Sequence, residues 1–212
     1  MGVSDLDIAR DSSEVGLSEG WGTESIDEAM KAGLEALRSG MFEEAGDWFE
    51  KILSERGDGN SEVYLHLAEA RLYQGRCEEV ERICRMLLES DPGRAEVRAI
   101  LGLAMVHLGR EAESLGYLTK APEHPAVLMG QAMAYERLAR VVEAEQAVRR
   151  ALGLCPESVE IRRYLGSLLA MQRRYGEALK EWAGVLKLDP TNEAAKEARA
   201  EVLEILGHGP AV

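Results

Sequence analysis

The sequence predicts an all-α fold, a solenoid of stacked helix-turn-helix pairs, and three observations predict it. One skeleton recurs five times. A small residue (Gly33, Ala68, Gly102, Ala132, Gly166) is followed seven places on by a turn residue (Gly40, Gly75, Gly109, Ala139, Arg173) and five beyond that by a short one (Ala45, Val80, Ser114, Ala144, Ala178). Successive turn positions lie 35, 34, 30 and 34 residues apart. On either side of each turn the apolar residues keep helical spacing, so each unit reads as helix, tight turn, helix.

Ahead of the array, residues 1–24 carry six acids and one base, with Gly16, Gly20 and Gly22 among them. They read as an acidic, poorly ordered tail; the alternative is a short helix docked through Leu17 and Trp21. The array and its last helix span 25–206. Ser25-Ile26-Asp27-Glu28 forms a capping box that starts the first helix. In unit one (26–60), Gly40 supplies a left-handed cap, Phe42 fills an interhelix pocket, Ala45 lets the helices approach, and Phe49 and Ile52 continue the inner stripe. This unit has Gly57 where others have Pro, and an extra residue, Asn60, which together predict a looser loop. Units two (61–94), four (125–158) and five (159–192) close at Asp91-Pro92, Cys155-Pro156 and Asp189-Pro190, since Pro cannot continue a helix interior. Unit three (95–124) is four residues short, and the segment from Ala121 to Pro125 stands where the last turn of its second helix belongs. Losing about one helical turn leaves the stack intact but changes its local packing, which predicts a joint between units one to three and units four to five. Asn192 caps a final helix (193–206) with Ala195, Ala198, Val202, Ile205 and Leu206 on one apolar face; residues 207–212 are a short tail.

The formal net charge is -13, with 30% charged residues and only two Phe. That balance argues against a nucleic acid partner, which requires clustered Lys and Arg. No run approaches the roughly 18 apolar residues that predict a membrane span, and the acidic start lacks the features of a secretory signal. The sequence reading is therefore a cytoplasmic chain without membrane insertion. Three cysteines fit a reducing compartment, and Cys77 and Cys84, about 10 Å apart along one helix, lie beyond disulfide reach and read as small core residues. There is no phosphate-binding Gly loop, HExxH, paired CxxC or nucleophile elbow. His66 and His107 fall on first helices of different units and His124 in the joint, without zinc-ligand spacing. The reading is non-enzymatic, with no cofactor and no metal. Acid pairs such as Glu43-Glu44 and Glu78-Glu79 beside the turns read as solvated outer faces.

Leu101-Gly102, Leu165-Gly166, Tyr135, Ala144, Ala178, Phe49, Pro92, Pro156 and Pro190 fall at matching places in the units. On these residues the chain resembles the tetratricopeptide repeat family over about 26–192. The resemblance implies a right-handed superhelix whose first helices line a concave groove. Carried onto this sequence, the groove displays Met30, Leu34, Leu37, Leu65, Leu72, Tyr73, Leu103, Val106, Met129, Met133 and Met171, with His107 beside them. Asp27, Glu62, Glu69, Glu96 and Glu160 form its rim, and Arg38, Glu136, Arg137 and Arg163 complete it. The family's carboxylate clamp is missing, because the corresponding places hold Met30, Leu34, His66, Glu96 and Ile100. The implied function is an adaptor or chaperone-like module that binds an apolar or amphipathic segment of a partner protein, with basic flanks facing the acidic rim. A self-associating homo-oligomeric scaffold and an accessory or regulatory subunit of an enzyme are the alternatives. A plainer reading of the same residues is that the acids complement helix dipoles and the Leu and Met side chains pack between first helices.

Overall fold

A computed structural model of the chain describes residues 23–56 and 60–207. The readings made for residues 1–22, for Gly57 and for the last five residues lie outside the described residues. Among the described residues there are eleven helices and no strand. The pairs are α1 (Thr23–Arg38) with α2 (Phe42–Arg56), α3 (Ser61–Tyr73) with α4 (Cys77–Ser90), α5 (Ala95–His107) with α6 (Glu111–Leu118), α7 (Pro125–Arg137) with α8 (Val141–Leu154), and α9 (Val159–Met171) with α10 (Tyr175–Leu188). The last helix, α11 (Glu193–Gly207), packs on α10 and α9. Helix α1 begins two residues before Ser25, so the capping-box residues lie inside its first turn.

All five turn residues have positive φ, from 71° to 76° at the three glycines and 58° and 59° at Ala139 and Arg173. Each turn closes identically: the turn residue's N–H donates to the carbonyl three back, and the next N–H to the carbonyl five back. In the first unit these are Gly40 to Leu37 (3.1 Å) and Met41 to Ala36 (2.9 Å); in the fifth, Arg173 to Ala170 (2.8 Å) and Arg174 to Leu169 (2.9 Å). This paired closure satisfies carbonyls that the first helix otherwise leaves open. Sixteen residues after each small residue stands the side chain that faces it across the pair. A Cβ at Gly33 would come within 2.7 Å of Phe49, at Gly102 within 2.6 Å of Leu118, and at Gly166 within 2.7 Å of Trp182 Cδ1. Where the small residue is Ala68 or Ala132, the residue sixteen on is the smaller Cys84 or Val148, and all four are buried.

The short third unit shows in α6, which has eight residues against 14 or 15 in the other second helices. His124 caps α7, its Nδ1 accepting from the Ala126 N–H at 3.3 Å, and Pro125 takes the first helical position, where a missing N–H costs nothing. The space of the absent turn is closed by α7 itself. Buried Gln131 donates from Nε2 to the Leu118 carbonyl at the end of α6 (2.9 Å), and Gly130 admits Leu103 and Leu118. The joint has its own small core of Val106, Leu115, Leu118, Val127 and Ala134. It separates the core under units one to three from the core under units four, five and α11.

On the outer face, units two and three are joined by a four-member charged clasp. Arg110 reaches Glu81 (2.8 Å) and Glu113 (2.5 Å), and Arg85 reaches Glu81 (2.7 Å) and Glu113 (3.1 Å). Sixty-four residues on, Arg174, Glu145, Arg149 and Glu177 repeat it between units four and five. Arg98 and Arg162, also sixty-four apart, each donate to the carbonyl of the Pro six residues earlier.

Two readings of the array's ends change. Asn60, expected in a loose loop, caps α3, its Oδ1 accepting from Glu62 N (3.1 Å) and Val63 N (3.4 Å). At the other end Asn192 caps α11 by accepting from Ala195 N (3.1 Å), and Ala195 and Val202 are buried. Ile205 and Leu206, expected on the same face, are exposed together with Leu203, because no described helix packs on that side.

Arg173→Gly relieves an L-residue held in left-handed geometry and is expected to stabilise the array by about 1 kcal/mol. Gly166→Ala forces the Trp182 indole aside and is expected to destabilise it by about 1–3 kcal/mol. Urea unfolding followed by circular dichroism reads both. The clasps add an acid limit. The hydrogen bond from Arg85 lowers the Glu81 carboxyl against the effect of burial, with Arg110 adding to it. At Glu145 burial works upward but is outweighed by hydrogen bonds from Gln172, Arg149 and Arg174. Both carboxyls are depressed in the folded chain, so their stabilisation is complete above the unfolded value of about 4.3 and fades as pH falls through the folded values. The thermal midpoint is expected to fall between pH 5 and pH 3, and to fall less in the Glu81→Gln/Glu145→Gln double variant.

Candidate partner-binding groove

Along the inner row α1 packs on α3, α3 on α5 and α5 on α7, whereas the backbones of α7 and α9 approach less closely. Two linked depressions occupy this second half of the row, each with a volume of about 510 Å³. The first runs from Leu72 and Tyr73 past Leu103 and His107 to Met129 and Met133. The second, the cleft between α7 and α9, is lined by Met129, Met133, Arg137, Arg163 and Met171, together with Glu136, Glu160 and Tyr164.

The expected groove residues therefore divide. Met30, Leu34 and Leu37 on α1 lie half-buried against the first core, outside the two linked depressions. Leu65 borders a separate depression with His66, Asp91 and Arg94. Leu72, Leu103, Met129 and Met133 are half-buried, with one side on the core and the other on the depressions. Val106 borders the first depression but is only 1% exposed, since its side chain belongs to the joint core. Tyr73 and Met171 are each 59% exposed. The Tyr73 ring stacks on Phe42, with centroids 4.3 Å apart and planes 9° from parallel, so Phe42 is a half-buried support for the groove edge rather than the filling of an interhelix pocket.

The charged residues differ in how far the fold already satisfies them. Glu69 faces His66 Nδ1 at 3.7 Å. Arg137 donates to the Val106 carbonyl and pairs with Glu111 at 3.4 Å, bracing the joint. Glu136 accepts a short hydrogen bond from the Tyr164 hydroxyl, which bridges the cleft from α9. Burial, with that hydrogen bond, raises the Tyr164 phenol above its ordinary range. Arg163 has no side-chain partner among the described residues. Its backbone carbonyl accepts from Trp182 Nε1 (3.4 Å). Glu62, Glu96 and Glu160 stand exposed in first turns of inner helices, and Asp27 is exposed one turn into α1. Tyr164 is the one bridging residue that the sequence reading misses; its neighbours in the slot pattern carry no common signal.

The cysteines sit away from any acid-base or metal constellation. Among the described residues no group of three His, Cys, Asp or Glu is placed to hold a metal ion. Cys77 and Cys84 are buried and unpaired. Burial pushes the Cys84 thiol up to about 12, and burial with the neighbouring Glu78 raises Cys77. No described helix is long and apolar enough to cross a membrane.

A family model described as tetratricopeptide repeat matches residues 36–104, and a second with the same description matches 115–159 and 130–193. The chain belongs to the tetratricopeptide repeat family. Solved structures share its fold. TTC0263, a thermophilic tetratricopeptide protein of Thermus thermophilus, is 23% identical with a TM-score of 0.67, covering 84% of this chain and 99% of its own. MamA from Desulfovibrio magneticus RS-1 is 16% identical with a TM-score of 0.64, covering 80% and 98%. A chain of the APC/C Cut9–Hcn1 hetero-tetramer reaches a TM-score of 0.75 at 12% identity, with 84% of this chain matched to 36% of that one. No curated protein matches the sequence. As a tetratricopeptide array the chain is a protein-interaction module with a superhelical solenoid fold.

Thiolate is the reactive form of cysteine. An aromatic disulfide reagent at pH 8 is therefore expected to modify only half-buried Cys155, which borders the first depression. Cys77 and Cys84 react only after denaturation, and peptide mapping identifies the labelled residue.

Proposed function

We propose that this tetratricopeptide module acts as an adaptor or chaperone-like protein, holding an apolar or amphipathic segment of a partner in the inner groove that runs from the end of α3 to α9. The observation that carries this reading is the pair of linked depressions, which share Met129 and Met133 and extend to Tyr73 in one and to Met171 in the other. Flexible thioethers fit varied apolar surfaces, and exposed apolar patches on folded domains mark contact sites. The unpaired acids Asp27, Glu62 and Glu96 toward the first units steer a partner whose flank on that side is basic.

A second reading, a self-associating scaffold, is favoured by one observation: Leu188, Leu203, Ile205 and Leu206 are exposed near the end of the array, where a second copy would cover them. Leu206→Asp separates the two readings, since it dissolves a scaffold and leaves groove binding alone. Size-exclusion chromatography with light scattering checks it.

The groove is tested by affinity capture from native extract with wild type, Tyr73→Asp and Met171→Asp. These two are cleaner probes than Leu103, which packs over Gly130 and whose replacement disturbs the joint. Each variant is expected to reduce capture at least about tenfold, the loss of about 1.4 kcal/mol, with an unchanged far-ultraviolet spectrum. Full capture by both variants would overturn the reading.

A further inference from the structure

We infer that Arg163 is the seat for an acidic side chain carried within the apolar segment that the groove holds; the inference rests on the groove reading above. The geometry of the α7–α9 cleft supplies the reason. Arg163 is half-buried beside Met129, Met133 and Met171, where the backbones of neighbouring first helices approach least. Its guanidinium opens into the cleft with no acceptor among the described residues, so an incoming carboxylate finds all of its donors free. Every other charged group on the walls of this cleft is occupied or faces water. Glu136 is held by Tyr164, and Arg137 by the Val106 carbonyl and Glu111. Glu160, one turn before Arg163, is exposed and beyond ion-pair distance of it.

The planar guanidinium favours a carboxylate in two-point contact, and the flanking methionines favour apolar side chains on both sides of it. The bound segment belongs to a partner protein and lies in one direction: its acidic residue at the fifth unit, its basic flank toward Asp27, Glu62 and Glu96. An internal acid is specified rather than a chain terminus, because Met129, Met133 and Met171 line the same cleft as Arg163 and call for several apolar residues around the acid.

The test is selection from a phage-displayed library of random dodecapeptides whose carboxyl ends are fused to the coat protein. The baits are full-length wild type, Arg163→Gln, Arg163→Glu and Met171→Asp. Wild type is expected to enrich apolar peptides that contain Asp or Glu. Arg163→Gln loses the acid preference, and Arg163→Glu replaces it with Lys or Arg. The best wild-type peptide, made synthetically and followed by fluorescence anisotropy, is expected to bind Arg163→Glu at least about tenfold more weakly. Apolar peptides enriched equally by wild type and Arg163→Glu, yet lost with Met171→Asp, overturn the acidic seat and leave the groove standing. Selection that fails on wild type, or that ignores Met171→Asp, overturns the groove and the seat together. A synthetic peptide of residues 1–22 is measured alongside. Binding as tight as that of the selected peptides, lost in Arg163→Glu, assigns the seat to the chain's own amino-terminal acids and overturns the partner.

Discussion

The close approach of the two helices within each unit is the constraint on which everything else depends. It has two parts that work together. A left-handed residue reverses the chain in the least possible length, and a missing or minimal Cβ seven residues earlier receives the side chain facing it. Gly33 with Phe49, Gly102 with Leu118 and Gly166 with Trp182 are one solution, with nothing opposite something large. Ala132 with Val148 is the other solution, one carbon moved across the pair relative to Gly102 with Leu118, and Ala68 with Cys84 is a smaller pair of the same kind. Interiors packed at crystal-like density tolerate such exchanges better than they tolerate net gain or loss. Because the turn geometry is supplied by paired backbone hydrogen bonds, Ala139 and Arg173 serve where Gly is conformationally easier.

This constraint explains which parts of the molecule were legible from its residues. Turn and small-residue positions recur because they obey local rules of backbone and volume, and those rules repeat with the unit. The inner row was legible only in part. Helical slot numbers place Leu72, Leu103 and Met133 toward the groove, but Val106 is covered because of what α7 does thirty residues later. Ile205 and Leu206 continue the periodic stripe of Ala195 and Val202, yet burial depends on whether another helix stands opposite, and none of the described helices does. The outer clasps were hidden for a related reason. Acids beside a turn look solvated in any one unit, and their partners become visible only when Glu81 is set against Arg110 and Glu145 against Arg174.

The groove and the outer face divide the work of the array. Outside, two closed sets of four charges tie neighbouring units together. Inside, Glu136 with Tyr164 braces the cleft and Arg137 braces the joint, and the remaining surface combines apolar side chains with the unpartnered Arg163. A module with this distribution presents recognition on one side and structural cohesion on the other, which suits an array whose units touch only their neighbours.

The shortened third unit reverses a natural assumption about where such an array is soft. Loss of a helical turn looks like damage, yet the boundary it creates is sealed by a buried side-chain amide on a helix-end carbonyl and by five buried apolar residues. The boundaries on either side are held on the outer face by ion pairs whose arginines stand at the surface. Dissolved salt screens exposed charges over about 10 Å at 0.1 M and over less as it rises, but leaves a buried amide untouched. Ionic strength thus acts unevenly along the superhelix: it loosens the contacts between the second and third units and between the fourth and fifth, while the boundary made by a deletion holds the shape of the groove.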